Sequence, residues 1–202
     1  MNSETMFQIV GVALFLSALS ISVYFRSRAN RAGAKTGDRV TWQGEGAGIM
    51  IGLRVAGLAM WLSLLAYLIN PRWMAWSQLP LPLWLRWTGA GLAGAAVPLL
   101  FWMFYSLGLN VTDTVAIRRE HRLVTSGPYR WIRHPLYSFG TLLLLGFSLL
   151  AASWFIAAAA VTGGILLARR TPIEEARLLE QFGEEYQSYI QRTGRFLPRL
   201  RQ

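Results

Sequence analysis

The sequence predicts an all-α integral membrane protein, and three observations predict it. Of its 202 residues 53% are hydrophobic and 15% charged, with nine tryptophans, and the mean hydropathy is +0.34; soluble domains carry about 25% charge. The apolar residues fall in uncharged runs of bilayer length. The basic residues gather in the segments between those runs. About five transmembrane helices are expected in one membrane domain over 1–202, the last two forming a tight helical hairpin and a cytoplasmic helix closing the chain.

Residues 6–25 are 20 positions without a charge, enough to cross a ~30 Å hydrocarbon core at ~1.5 Å per residue. The run lacks a basic leading region and exceeds the core of a cleaved signal, so it reads as a retained first span. The second span covers 46–69 and is interrupted only by Arg54; the third, 87–109, is uncharged. The last apolar run, 136–168, has 33 residues, and as one straight helix it would measure ~50 Å, overshooting the bilayer by ~20 Å. Two shorter spans, 136–151 and 154–168, turning back near Ala151-Ala152-Ser153, fit better. Between spans two and three, Pro71, Pro80 and Pro82 forbid a long helix, and the tryptophans there suit an interfacial belt.

The formal net charge of +10 is almost wholly arginine, Lys35 being the sole lysine. Placement assigns it to anionic headgroups rather than to nucleic acid. Seventeen lysines and arginines fall in the segments after span one, before span four and in the tail, against Arg72 and Arg86 on the other side. The N-terminus is therefore expected outside and the C-terminus in the cytoplasm, in a bacterial or archaeal inner membrane. Lacking cysteine, the chain has no disulfide, thiolate zinc site or cysteine nucleophile. With only His121 and His134 as histidines, no metal site is expected. Oligomeric state is not encoded legibly.

Gly89-Ala90-Gly91-Leu92-Ala93-Gly94 matches the dinucleotide pattern G-x-G-x-x-G, which works only in a strand-to-helix turn. Inside an uncharged apolar helix, small residues let neighbouring backbones approach, and packing is the expected role. Arg54 is costly in hydrocarbon unless it snorkels or finds a partner.

The remaining polar residues form two blocks, 110–135 before the hairpin and 169–202 after it. A hairpin brings its ends together, so His134, Pro135 and Tyr137 are expected beside Arg170, Glu174 and Glu175, forming a cytoplasmic pocket rim at the membrane surface. Arg130 and Arg133 read as headgroup contacts. Arg170 and Glu174 are four apart and share a face if helical. Pro172 should break a continuing helix, though it fits the first turn of a new one with Thr171 as cap.

The pattern HRLVTSGPYRWIRHPLY (121–137), a hairpin, then RRTPIEEARLLEQFGEEYQSY (169–189) resembles the isoprenylcysteine carboxyl methyltransferase family, to which phospholipid N-methyltransferases are related. The resemblance covers roughly residues 105–200 and implies a membrane enzyme using S-adenosyl-L-methionine on a lipophilic acceptor. It implies cofactor-binding roles for His121, Leu123, Val124, Tyr129, His134, Pro135, Tyr137 and Glu174. Arg170 matches the arginine assigned to the acceptor. Asn110, Thr112 and Thr114 fall where the family contributes polar contacts. Family members from eukaryotes run several acidic residues together where this chain has Pro172 and Ile173.

On this reading Tyr129 and Tyr137 offer ring faces to a sulfonium or an adenine, and Glu174 pairs an α-ammonium or ribose hydroxyls. A prenylcysteine carboxylate is ionised at neutral pH and needs only a cation such as Arg170 to orient it. An aminolipid must lose a proton to a base, for which Glu175, His134 or water are candidates. Two other classes stay open: an NADPH-dependent membrane reductase, since sterol-reductase-like proteins share an R-H-P-x-Y element, and a non-catalytic membrane subunit whose tyrosines and arginines only anchor helices.

Overall fold

The computed structural model describes residues 2–31, 47–108 and 123–199. Asn110, Thr112, Thr114 and His121 lie outside the described residues. Among the described residues six α-helices appear in order: α1 (Ser3–Arg31), α2 (Ala47–Ile69), α3 (Leu83–Leu107), α4 (Pro135–Leu150), α5 (Trp154–Phe182) and α6 (Glu184–Arg192). Short 3₁₀ segments, Pro71–Ser77 and Gly127–Arg130, precede α3 and α4. Among the described residues β structure amounts to two isolated bridges.

The helix limits follow from local chemistry. Asn70 caps the first 3₁₀ segment by accepting from the Arg72 N–H at 3.1 Å. Gly108 and Gly183 end α3 and α5 with φ of 59° and 52°, a region that favours glycine. Pro135 opens α4, where its missing N–H costs nothing.

α3 packs on α4, α4 on α5, α5 on α2, and α1 on α3. The α3–α4 crossing is close because glycines face each other: a Cβ on Gly89 would lie 2.6 Å from the Leu150 N, and one on Gly146 would lie 2.6 Å from the Ala93 N. The small residues of the 89–94 stretch are thus packing residues, with Gly91 facing open space. α1, α2 and α3 are long and apolar enough to cross a membrane, while α4 has 16 residues. Large apolar side chains such as Val55, Leu58 and Leu62 point outward, a surface that a bilayer covers.

The hairpin turn carries Ala152 at φ 50°, and Ser153 caps α5 by accepting from the Ile156 N–H at 3.3 Å. Ser77 and Ser153 share a hydrogen bond of 2.8 Å, and the Leu79 N–H donates to the Ala152 carbonyl at 2.7 Å. The first 3₁₀ segment is thereby clipped to the turn.

Two expectations need correction. Arg86 is not a loop cation: it lies in the first turn of α3, buried, donating to Glu4 at 2.7 and 3.0 Å, to the Tyr67 hydroxyl at 3.1 Å and to the Leu150 carbonyl at 2.9 Å. A single guanidinium with its five donors therefore ties α1, α2, α3 and the end of α4. Pro172 does not open a new helix either, because α5 runs through it unbroken. Pro172 has no N–H for the Ala168 carbonyl four residues back, and the fully buried Thr171 beside it donates its hydroxyl to the Leu167 carbonyl at 2.9 Å. Packing against α2 and α4 on one side of this point and the contacts of Glu174 and Glu175 on the other keep the helix continuous.

Candidate active site

The approach to α4 is seated on the end of α3. Gly127 has φ 60°, and a Cβ there would overlap the Ser106 side chain and come within 3.3 Å of Trp102 Nε1. Only glycine fits both the backbone and the space. The buried Pro128 starts the 3₁₀ turn, and Trp131 meets Trp102 edge-on at 5.5 Å. Leu123 and Val124 are partly buried upstream. This seating leads into His134, which precedes Pro135 at the start of α4.

His134 and Tyr137 form the first foot of the hairpin, their rings stacked at 5.3 Å. Glu174 and Glu175 form the second, on the continuous α5. The Tyr137 hydroxyl donates to Glu174 Oε2 at 2.8 Å, and His134 Nε2 lies 3.3 Å from Glu175 Oε1. The two feet expected to meet do so through these residues. Arg170 sits one turn before Glu174 on the same helix face, partly buried.

The neighbouring glutamates have different surroundings. Glu175 is buried and accepts on both oxygens: Arg133 Nε at 2.8 Å and His134 on Oε1, Arg195 Nε at 3.1 Å and Nη2 at 2.6 Å on Oε2. Burial alone raises its carboxyl, but the hydrogen bonds from His134, Arg195 and Arg133 outweigh burial and hold it at about 2. An ionised carboxylate only accepts, so the proton of this bond sits on His134 Nε2. Glu174 is more open, its side chain 22% exposed against 8% for Glu175. Its Oε2 lies 3.9 Å from His134 Nδ1.

Tyrosines line the same region. The Tyr189 hydroxyl donates to the Tyr129 carbonyl at 2.6 Å, fixing α6 to the 3₁₀ turn. Burial pushes the Tyr129, Tyr186 and Tyr189 hydroxyls up, so all three stay neutral donors. Tyr186 is buried and its hydroxyl has no hydrogen-bond partner among the described residues.

Sequence reasoning missed three participants. Arg133 is no headgroup contact: its side chain is buried on Glu175 and on the Ile190 and Thr193 carbonyls at 3.2 and 2.5 Å. Arg195 and the segment around it join the site from beyond α6. The third is Tyr189, which ends the second motif and carries no role in the sequence pattern, yet its hydroxyl holds α6 to Tyr129. The available signal was Gly194 followed by Arg195 and Phe196, a turn-plus-cation pattern after a short amphipathic helix.

A family model for the isoprenylcysteine carboxyl methyltransferase (ICMT) family matches residues 90–180. The human protein-S-isoprenylcysteine O-methyltransferase is 32% identical over 152 residues, covering 71% of this chain and 50% of the human protein. Protein-S-isoprenylcysteine O-methyltransferase B of Arabidopsis thaliana is 37% identical over 94 residues, covering 45% of this chain and 48% of that protein. The chain thus spans about half the length of these curated relatives. The solved structure of a eukaryotic intramembrane Ras methyltransferase, ICMT, shares the fold with a TM-score of 0.54 at 20% identity, covering 94% of this chain and 67% of that one. The matched segment runs from within α3 through both feet of the hairpin, and over it the chain is similar to the isoprenylcysteine carboxyl methyltransferase family.

Proposed function

We propose that this chain is an integral membrane S-adenosyl-L-methionine-dependent methyltransferase acting on a lipophilic acceptor, most like a prenylcysteine carboxylate. The observation that carries this reading is the meeting of His134 and Tyr137 with Glu174 and Glu175 inside the segment the family model matches.

The donor set fits the cofactor. S-adenosyl-L-methionine supplies a methyl group activated on a sulfonium sulfur, and its cationic and hydroxyl groups call for a carboxylate and aromatic faces. Glu174 is the accessible carboxylate of the pair, oriented by the Tyr137 hydroxyl, and suits an ammonium or ribose hydroxyls. Tyr129 and Tyr137 offer rings for a cation or a purine. His134, its Nε2 turned to Glu175, holds Nδ1 3.9 Å from the same Glu174 oxygen. His121, Leu123, Val124 and Pro135 complete the cofactor side by family resemblance.

Methyl transfer is a displacement, so positioning dominates. Arg170 on the Glu174 face is assigned to the acceptor carboxylate, which it can grip on both oxygens. A carboxylate acceptor needs no base. Glu175, held at about 2 by three basic side chains, is far from the poise that a general base at neutral pH requires, and its proposed role moves from base to anchor. That favours O-methylation over N-methylation of an aminolipid.

In the membrane, α1 to α3 and the α4–α5 hairpin make five spans, with the N-terminus outside and the two feet on the cytoplasmic side of a bacterial or archaeal inner membrane. Seventeen basic residues on that side support this. With Arg86 paired to Glu4, only Arg72 remains as a loop cation on the other. Incubating the protein with labelled S-adenosyl-L-methionine and either a farnesylated cysteine derivative or phosphatidylethanolamine tests the reading. Label in the cysteine derivative as a base-labile ester supports it; label in the phospholipid alone overturns the acceptor assignment.

A further inference from the structure

Beyond α6 the chain turns back along the first foot of the hairpin. The Gly194 N–H donates to the Trp131 carbonyl at 3.0 Å, the Arg133 N–H to the Gly194 carbonyl at 2.9 Å and the His134 N–H to the Arg195 carbonyl at 3.0 Å. Ile132 and Gly194 form a parallel bridge. Side chains extend the attachment: the Ser138 hydroxyl donates to the Phe196 carbonyl at 2.6 Å, the Phe196 ring lies 5.9 Å from that of His134, and Arg195 holds Glu175 Oε2 through two nitrogens. This strap fixes His134 by its main chain, by one neighbouring ring and, through Glu175, by its Nε2.

We propose that Arg195 is a positioning residue of the donor site, which through Glu175 sets the orientation and tautomer of His134 and so the Tyr137–Glu174 edge that meets the cofactor. The inference rests on the methyltransferase reading and assigns work to a segment outside the family-matched residues 90–180. Arg195 supplies two of the four donors on Glu175. Removing it leaves Oε2 of a buried carboxylate without its partner, and such a group reorients toward another donor or water. His134 shares that carboxylate, so its ring moves with it. Arg195 itself is 44% exposed and meets the site through the Glu175 carboxylate, the kind of support on which site geometry depends.

The test compares wild type, Arg195→Ala and Arg195→Lys in the full chain in lipid nanodiscs. With only two histidines, ¹⁵N-histidine labelling gives two imidazoles, and His134→Gln assigns them. The expected result is a shift of the His134 nitrogens in Arg195→Ala, a fall of roughly tenfold in S-adenosyl-L-methionine affinity by calorimetry, an unchanged KM for the acceptor, and partial return of both signals in Arg195→Lys. His134 resonances identical to wild type in Arg195→Ala, or unchanged donor affinity, overturn the proposal. So does a loss of affinity that tracks a fall in melting temperature and is not relieved by lysine. If wild type itself binds no donor, the methyltransferase reading fails, while the His134 shift still decides whether Arg195 positions that ring.

Discussion

Glu174 and Glu175 are chain neighbours of identical chemistry, and the fold separates them by what it places around each. Glu175 at about 2 lies below its ordinary 4.5. As pH falls the unfolded state takes up the proton first, so the stability this group contributes is complete above about pH 5 and is lost toward pH 2. Thermal unfolding followed by circular dichroism should show Glu175→Gln destabilised at pH 7 by about 1.5–3 kcal/mol, the range for hydrogen bonds to charged groups. The gap to wild type should close on acidification, and a constant gap would contradict the assignment. Tyr186 makes the opposite prediction: with no acceptor for its buried hydroxyl among the described residues, Tyr186→Phe should leave the ligand-free protein as stable or about 1 kcal/mol more stable. The sequence made His134, Tyr137 and Glu174 legible because their spacing against a hairpin puts them at its feet. It left Arg133 and Arg195 illegible, because an arginine beside a membrane looks the same whether it faces a headgroup or a buried carboxylate.

At the scale of elements, the site stands on the crossing of α3 with α4. Gly146→Ala places a Cβ 2.6 Å from backbone at Ala93, and overpacking against backbone should cost about 1–3 kcal/mol. Gly91→Ala, on the facing helix α3 but turned to open space, should leave stability unchanged or raise it by about 0.5–1 kcal/mol. Equal melting temperatures for the two variants would deny that the crossing depends on glycine. The small-residue stretch was legible as packing, but which of its glycines makes the contact is set by helix rotation, which an all-round apolar helix does not reveal. Pro172 misled for a related reason: its cost is local, while the contacts that hold α5 straight come from α2, α4 and the first foot of the hairpin.

Across the whole molecule, two polar clusters close the two ends of an apolar bundle, Glu4–Arg86–Tyr67 at one and Arg133–Glu175–Arg195 at the other. The second was partly foreshadowed by its motifs; the first joins Glu4 to residues 63 and 82 positions away, a separation that no local pattern signals. The absence of native cysteine lets single cysteines report sidedness. In intact cells Trp73→Cys should react with a membrane-impermeant maleimide and Arg199→Cys only after lysis; the reverse pattern would invert the proposed orientation. The central claim is that the meeting of the two feet makes a donor site, and calorimetry of S-adenosyl-L-methionine binding to the purified protein in nanodiscs tests it most directly. The expected result is micromolar binding by wild type, weakened tenfold or more by Glu174→Ala and little changed by Arg170→Ala; wild type without binding, or Glu174→Ala binding as wild type does, would contradict the claim.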